Sequence, residues 1–328
     1  LGVIIGGLIH CLIRLFDLRN TEYKYKMEIH LKHPGFKQIL KLMLPRAISL
    51  LTWQFNLYFF TAVGIRMQEG GVAAFNFARN IQSFAVSLFG ISLATAVFPY
   101  LTSAISTDDK ASYTEHVQKT IQRIIFFTIP STIGLMILAK PVVELILGGG
   151  AFDQNSVNLT SLILFFFAMS IPFESLSHIL SRAFYAVKDT ITPMNISILS
   201  MIIIAFCTIY IAPRYGIEWF SIGFSLGFIF VVLLSAILLK KHLQNFKMKQ
   251  FLLSLGKTII ATGIMAVVLI ISVDLESILN VKIATIARII LGSGIFFLTA
   301  SLFKSPEISN ISYIIGKFFK RPANETKL

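Results

Sequence analysis

One long apolar segment carries an arginine among amides and hydroxyls. Its polar members are Asn76, Arg79, Asn80, Gln82, Ser83 and Ser87. Four of these follow i, i+4, i+7, i+11 spacing, starting at Asn76, and so share one face of a helix. A guanidinium beside such a face can pair with a phosphate or a carboxylate through two parallel hydrogen bonds. Three roles stay open for Arg79: contact with an anionic ligand, a structural ion pair, or extension of the side chain to the outer surface of the membrane that the segment spans.

A second polar track follows a proline. Glu174, His178 and Arg182 are spaced i, i+4, i+8 and lie on one face of a helix. Ionisable side chains are costly inside a membrane and are functional candidates there. Glu174 is compatible with an ion pair, a coupling ion, a proton relay through His178 or a buried structural hydrogen bond. Pro172 removes a backbone hydrogen bond and permits a bend, a device that helical transporters use when they rock between states.

A third candidate lies in the sequence Leu44-Pro45-Arg46. Proline suits the first turn of a helix, so we expect a helix to begin near Pro45. Arg46 then lies at the cytoplasmic interface, where it either anchors the helix to lipid phosphates or contacts a ligand. We therefore predict four substrate-binding residues, which are Arg46, Arg79, Asn80 and Glu174.

Other chemistry is not indicated. The run Gly148-Gly149-Gly150 lacks the Lys-Ser/Thr pair of a phosphate-binding loop, so we expect a turn after a helix. The pair Asp108-Asp109 has no further carboxylates at metal-site spacing, and no Ser/His/Asp set or nucleotide fingerprint occurs. The sequence predicts neither an enzyme nor a cofactor or metal site.

The chain that carries these residues is very apolar. Of its 328 residues, 55% are hydrophobic and only 14% are charged, with a formal net charge of +13. A soluble domain carries about 25% charged residues, so this composition excludes an ordinary soluble protein. The basic residues lie between apolar runs, and nucleic-acid binding does not explain them. Because the runs are continuous rather than alternating, we predict an all-α polytopic membrane protein.

Eight runs are long enough to cross a hydrocarbon core of about 30 Å. They are residues 39–66, 72–101, 121–147, 157–181, 194–212, 218–239, 254–273 and 284–303. A shorter run over residues 1–13 predicts the back half of another spanning helix, and hence an N-terminally truncated chain. Alternating spans place most of the 29 Lys and Arg residues on one side. The positive-inside rule makes that side, with the C-terminus, cytoplasmic. Only Arg79 is assigned to a span interior, and Arg288 is assigned to the outer side.

Several local motifs occur together in a fixed order. Arg182-Ala183-Phe184-Tyr185-Ala186, followed by Asp189-Thr190 and Thr192-Pro193, is the most specific of them. Pro45-Arg46, Phe98-Pro99 and Gly150-Ala151-Phe152 accompany it. On these motifs, which cover about residues 40–212, the chain resembles the MurJ (MviN) family of lipid II flippases in the multidrug/oligosaccharidyl-lipid/polysaccharide (MOP) exporter superfamily. The residues that carry the resemblance are Pro45, Arg46, Gly150, Phe152, Arg182, Phe184, Tyr185, Asp189, Thr190 and Pro193.

The resemblance implies a particular organisation. Family members have fourteen helices in two six-helix lobes plus two extra helices. Residues 1–16 would then be a partial helix 6, 17–38 a basic cytoplasmic loop, 39–242 the second lobe (helices 7–12), 243–303 the two additional helices and 304–328 a basic cytoplasmic tail. Helices 1 to 5 would be absent, and this fragment alone would not transport.

The resemblance also implies a function. The expected activity is a flippase of the bacterial cytoplasmic membrane, monomeric when full length, with lipid II and membrane lipids as partners and no nucleic acid. It would move undecaprenyl-pyrophosphate-linked peptidoglycan precursor from the inner to the outer leaflet by alternating access, for cell-wall synthesis. Cavity arginines would bind the pyrophosphate, and the lipid tail would lie in an apolar groove beside helices 13 and 14. The alternatives are an exporter of another polysaccharide-lipid or of drugs, and a membrane enzyme acting on polyprenyl phosphates.

One position departs from the family pattern. Family members commonly place a cavity arginine in helix 8, and the matching residue here is Asn80, with Arg79 one position earlier. One residue rotates a side chain by about 100° around a helix. Either Arg79 reaches the cavity from a neighbouring angle, or Asn80 takes the family position and the positive charge comes from other residues.

Overall fold

The computed structural model describes residues 2–18, 34–150, 152–274 and 280–308. Within these ranges the regular structure is helical, apart from one isolated bridge between Gly149 and Phe152. The predicted all-α class is therefore confirmed. The predicted basic loop and tail lie largely outside the described residues.

Thirteen α-helices are present in the described residues, and short π and 3₁₀ segments extend some of them. They are α1 (Gly2–Leu18), α2 (Pro34–Met67), α3 (Gly71–Ala85), α4 (Ser92–Ser106), α5 (Lys110–Ile137), α6 (Ala139–Leu147), α7 (Gln154–Ala168), α8 (Ile171–Ala186), α9 (Ile191–Phe206), α10 (Ala212–Tyr215), α11 (Trp219–Leu239), α12 (Met248–Ile271) and α13 (Val281–Leu302). The π segment Val86–Ile91 joins α3 to α4, and Cys207–Ile211 joins α9 to α10.

Among the described residues, seven continuous helical stretches are long and apolar enough to cross a membrane, or eight if the bent pair α7 and α8 counts as one span. These eight correspond to the eight runs found in the sequence. The apolar helix Ile4–Phe16 within α1 is shorter, as expected. Many large apolar side chains on the spanning helices are exposed, as expected for surfaces that face lipid.

One span is shifted along the chain from its predicted boundaries, and another is bent. The third was expected over 121–147, but α5 runs over Lys110–Ile137 and a break at Leu138 separates it from α6. Its early start follows from Asp109, whose carboxylate accepts a hydrogen bond from the Ser112 backbone N–H at 2.8 Å and caps a polar first turn. The fourth span bends by 45° between α7 and α8. Pro172 lies in the first turn of α8, so the bend expected from this proline occurs directly before it.

The chain divides into two compact units, Leu1–Met43 and Leu44–Leu328. The first contains α1 and the beginning of α2, and the side chains described in α1 are exposed. The second contains all the remaining helices. In it, α8 packs against α5 and α11, while α12 packs against α5 and α13.

The second unit is held by aromatic packing. Phe60, Phe75, Phe167, Phe220 and Phe224 are each at most 2% exposed and form one cluster. Their ring centroids are 4.6 Å apart for Phe60 and Phe75 and 5.3 Å for Phe167 and Phe224. Aromatic pairs at these separations add about 0.5–1.5 kcal/mol beyond the area they bury.

A close helix contact fixes the position of α8. A side chain at Gly90 would place its Cβ 2.7 Å from the Ser175 Cα, so only glycine permits this approach. Gly90 lies in the π segment between α3 and α4. The contact therefore holds α8, which carries Glu174 and Arg182, directly against the span that carries Arg79.

Candidate functional site: a polar cleft and a buried ion pair

A polar cleft of about 500 Å³ opens among five helices of the second unit. Its walls come from α2, α4, α8, α9 and α11. Its polar lining residues are Arg46, Ser49, Thr52, Asn56, Thr95, Ser177, His178, Ser181, Arg182, Tyr185, Ser197 and Ser200. The lining includes no Asp or Glu among the described residues. The cleft is therefore suited to an anionic group.

Two arginines supply the positive charge of the cleft. The Arg46 guanidinium lies over the Tyr185 ring at 5.5 Å from its centroid. Arg182 donates from Nη2 to the Thr95 hydroxyl at 2.8 Å and from Nη1 to the His178 carbonyl at 3.2 Å. These contacts orient both guanidiniums but use only some of their five N–H donors. The remaining donors match the oxygens of a phosphate, which accept parallel hydrogen bonds from arginine.

Arg46 belongs to a helix that begins earlier than expected. The expectation of a helix start near Pro45 is wrong, because α2 begins at Pro34 and contains Pro45 in its interior. The proline leaves its turn without one backbone hydrogen bond. The Ser49 hydroxyl donates to the Pro45 carbonyl at 3.1 Å. Arg46 and Ser49 are three residues apart on α2, and both line the cleft.

Arg79 lies away from the cleft lining and is paired with Glu174. Its Nη2 is 2.7 Å from Oε1 and its Nη1 is 3.1 Å from Oε2, so the contact is bidentate. Gln82 completes the group: its Oε1 accepts from Arg79, and its Nε2 donates to Glu174 Oε2 and to the Ser170 hydroxyl, each at 2.9 Å. Of the roles left open for Arg79, the geometry supports a structural ion pair.

Two aromatic rings enclose this ion pair. The Arg79 guanidinium lies 4.9 Å from the Trp53 ring centroid and 5.0 Å from that of Phe224. Trp53 also lines the polar cleft. The ion pair thus supports the wall of the cleft without contributing a charged side chain to it. Trp53 shares a face of α2 with Ser49 and Asn56, at i, i+4, i+7 spacing, but it was not among the four predicted binding residues.

Asn80 faces a different space. It lines an apolar cavity of about 740 Å³ between the Arg79 helix, α5, α6, α12 and α13. The four predicted binding residues are therefore not brought together: Arg46 lies in the cleft, Arg79 and Glu174 form the ion pair, and Asn80 lines the apolar cavity. Their assignment as substrate ligands stays a prediction.

Arg288 also lines the apolar cavity and was missed. Arg288 lies inside α13 and is only 2% exposed, and its assignment to the outer side of the membrane stays a prediction. Its Nη2 donates to the Leu269 carbonyl at 3.0 Å, near the end of α12. Carbonyls in the last turn of a helix lack helical partners, so a cation there is favourable. This contact fastens α13 to α12, and hydropathy alone does not reveal it.

The motif around Arg182 divides into two functions. Arg182 and Tyr185 line the cleft, whereas Phe184 is fully buried. Asp189 caps α9: its Oδ1 accepts from the Thr192 backbone N–H at 3.0 Å and its Oδ2 from the Thr192 hydroxyl at 2.7 Å. The part of the motif around Asp189 therefore forms the connection between α8 and α9. This connection helps to position Arg182 and Tyr185 at the cleft.

The remaining motif residues are structural in their contacts. Gly150 has φ +61° in the turn after α6, and the expected turn at the glycine run is confirmed. Phe152 packs edge-on against Phe77 with ring centroids 5.7 Å apart. Thr190 and Pro193 are both buried where α9 begins.

The fold and the cleft define a multi-pass α-helical membrane protein with a cationic cleft inside a helical lobe. A family model described as "Lipid II flippase MurJ" matches residues 1–291. The chain therefore belongs to the MurJ family, which agrees with the resemblance carried by the motifs, and it is a multi-pass protein of the bacterial inner membrane.

Individual relatives agree with this membership. The chain is 28% identical over 249 residues to a probable lipid II flippase MurJ of Bdellovibrio bacteriovorus, covering 75% of this chain and 46% of that protein. It is 23% identical over 314 residues to a probable lipid II flippase MurJ of Thermotoga maritima, covering 94% and 61%. The chain spans about half the length of the curated relatives it matches.

A solved structure shares the fold. It is a lipid II flippase MurJ in an inward closed conformation, which matches with a TM-score of 0.69 at 24% identity. The match covers 93% of this chain and 62% of that structure. At this identity the likeness concerns the fold alone.

Proposed function

We propose that the protein acts in flipping lipid II, an undecaprenyl-pyrophosphate-linked peptidoglycan precursor, from the inner to the outer leaflet. Membership of the MurJ family supports this substrate. The observation that carries the proposal is the polar cleft, in which Arg46 and Arg182 face one space without an acidic side chain among the described lining residues. A pyrophosphate needs such a concentration of donors and positive charge.

The proposed roles of the predicted residues differ. Arg46 contacts the pyrophosphate directly, and Arg182 joins it from α8. Arg79 and Glu174 act through Trp53, whose ring they hold at the wall of the cleft. Asn80 contacts the apolar part of the substrate, since it lines the apolar cavity. In this proposal the cleft arginines supply the positive charge that the family pattern would otherwise place at Asn80.

The proposed domain organisation follows the helices. Residues 39–242 form the second lobe, 243–303 the two additional helices, 1–16 a partial sixth helix, and 17–38 and 304–328 basic cytoplasmic segments. With the C-terminus in the cytoplasm, the ends of α8 and α11 and the start of α12 also lie on the cytoplasmic side. Substrate would enter the cleft from there, and rocking of the lobe about the bend between α7 and α8 would open it to the other leaflet. The transporter works as a monomer.

A complementation experiment tests the proposal. The reading frame that contains this chain is expressed in a bacterium whose own lipid II flippase is depleted, and growth and lipid II flipping are measured. Restored flipping in the parent, lost in a double variant Arg46→Gln/Arg182→Gln that still reaches the membrane, is the expected result. Export of a drug or of another polyprenyl-linked sugar without flipping of lipid II would contradict the proposal. So would full activity of the double variant.

A further inference from the structure

A second polar cleft, of about 670 Å³, lies among helix ends of the second unit and shares no lining residue with the cleft of Arg46 and Arg182. Four helix ends meet there: the first turns of α5 and α12, the connection from α11 to α12, and the segment after α13. None of its lining residues belongs to the predicted substrate site. Its basic lining residues are Lys119, Arg123, Lys247, Lys257 and Lys304, and its acidic ones are Glu115 and Glu307.

The charge of this basic cleft favours an anion. Glu115 is already paired with Lys119, one helical turn away. Four cations then remain against the single carboxylate of Glu307. Lys257 directs one donor to the Lys304 carbonyl at 3.3 Å and, with three N–H donors, keeps others for a ligand. A group bearing a phosphate would satisfy these side chains.

The walls of the basic cleft are fixed by hydrogen bonds between α5 and the connection from α11 to α12. The Thr114 hydroxyl accepts a hydrogen bond from the Gln244 backbone N–H at 2.9 Å. Gln118 binds Lys247 on both sides, accepting from its N–H at 2.9 Å and donating to its carbonyl at 3.1 Å. These bonds tie the connection between α11 and α12 to α5 and fix the position of Lys247.

One buried acceptor in this cleft lacks a hydrogen-bond partner within the described part of the chain. Glu307 is 5% exposed, and its Oε1 accepts from the Ser254 hydroxyl at 2.5 Å. Its Oε2 is buried and receives no hydrogen bond from the residues that the structure describes. An orphaned acceptor of this kind costs about 1–3 kcal/mol, and a ligand hydroxyl would satisfy it. The ligand that fits carries both a phosphate and a hydroxyl donor.

An apolar stripe leads from the basic cleft along α12. Leu253 lines the cleft, and Ile260, Ile264 and Val267 follow it at i+7, i+11 and i+14 on the same helix face. All four side chains are exposed, at 57%, 54%, 39% and 55%. Lys257 lies in the same stripe, one turn after Leu253. A molecule with its phosphate at Lys257 would therefore have an apolar path for acyl chains directly below.

We propose that this cleft binds the headgroup of an anionic phospholipid of the phosphatidylglycerol type. The phosphate contacts Lys257, Lys304 and Arg123, the glycerol hydroxyl donates to Glu307 Oε2, and an acyl chain follows the stripe on α12. A free phosphate would use the same cations but would leave the stripe uncovered. The site is independent of the substrate cleft, so the failure of one proposal does not affect the other.

Native mass spectrometry of the purified protein tests the lipid site. The protein is equilibrated with mixed phosphatidylcholine and phosphatidylglycerol, and retained phosphatidylglycerol is counted. In the variants Lys257→Gln and Lys304→Gln retention should fall about fivefold per charge removed. The control Lys249→Gln removes an exposed charge from the first turn of α12 that does not line the cleft, and it should retain the lipid. Equal retention in all variants would overturn the site.

Two further arms separate the possible ligands. Inorganic phosphate at millimolar concentration should not displace the lipid, and full displacement would overturn the lipid assignment in favour of free phosphate. The parent protein should also retain phosphatidylglycerol better than phosphatidylmethanol, which has the phosphate but no hydroxyl donor. Equal retention of these two lipids would overturn the contact with Glu307, and this comparison needs no variant that might fail to fold.

Discussion

Arginine occurs in two contrasting settings in this protein. Arg46 and Arg182 face an open cleft in which no acidic side chain is found among the described lining residues. Arg79 lies between two aromatic rings and is bound by Glu174 through both of its terminal nitrogens. The same side chain therefore keeps its charge available in one region and has it neutralised in the other. Availability of the charge, rather than the presence of arginine in a span, separates a ligand site from a structural one.

The largest effect should come from breaking the enclosed pair. In Glu174→Leu the Arg79 charge stays in place without its partner, and the free energy of unfolding should fall by about 3–5 kcal/mol. The midpoint of unfolding in detergent, followed by tryptophan fluorescence, measures the loss. The double variant Arg79→Leu/Glu174→Leu removes both charges and should recover most of the stability. A single variant as stable as the parent would show that Glu174 does not hold Arg79.

In the open cleft, a substitution should lower ligand affinity and leave the stability of the protein almost unchanged. Arg46→Gln removes a donor from the proposed pyrophosphate contact, and affinity for a polyprenyl pyrophosphate should fall by about 1.5–3 kcal/mol. The unfolding midpoint should change little, because Arg46 has no buried charged partner among the described residues. Binding to the purified protein, with Arg66→Gln at the exposed end of α2 as a control, measures this. A large loss of stability with unchanged affinity would reverse the contrast between the two settings.

A smaller effect should divide the motif that contains Arg182. Asp189 caps α9 through both of its oxygens and lies outside the cleft lining. Asp189→Ala should lower the free energy of unfolding by about 1 kcal/mol, the usual cost of losing such a cap. Ligand affinity should change much less than in Arg182→Gln. If affinity falls equally in both variants, the motif acts as one binding unit.

Much of the fold was predictable because it rests on local signals. Eight apolar runs predict eight spans, since a segment in lipid must satisfy its own backbone hydrogen bonds. Pro172 predicts the bend before α8 for the same local reason. The start of α5 was not visible in hydropathy, because a polar cap at Asp109 determines it. The predicted helix start near Pro45 was wrong because the helix that contains this proline already begins at Pro34.

The site was less predictable because its partners are distant in sequence. Arg79 and Glu174 were each recognised as unusual, but their pairing joins residues 95 positions apart. Gln82 lies three residues from Arg79, so its contact with the same group follows from helix geometry. The burial of Arg288 depends on the packing of α12 against α13, which no single segment encodes. Sequence therefore identified Arg79 and Glu174 as unusual, and tertiary structure decided which charges stay available.

The smallest effect should come at the position where the family pattern expects a cavity arginine. Asn80 is exposed and lines the apolar cavity, which does not share its lining with the polar cleft. Asn80→Ala should therefore change the stability and the headgroup affinity by no more than about 0.5 kcal/mol. The same binding and unfolding measurements apply, with Arg46→Gln as the positive control. A loss of affinity comparable to that control would mean that Asn80 reaches the headgroup. Asn80 would then take the family position, and the separation between cleft and cavity would not hold during binding.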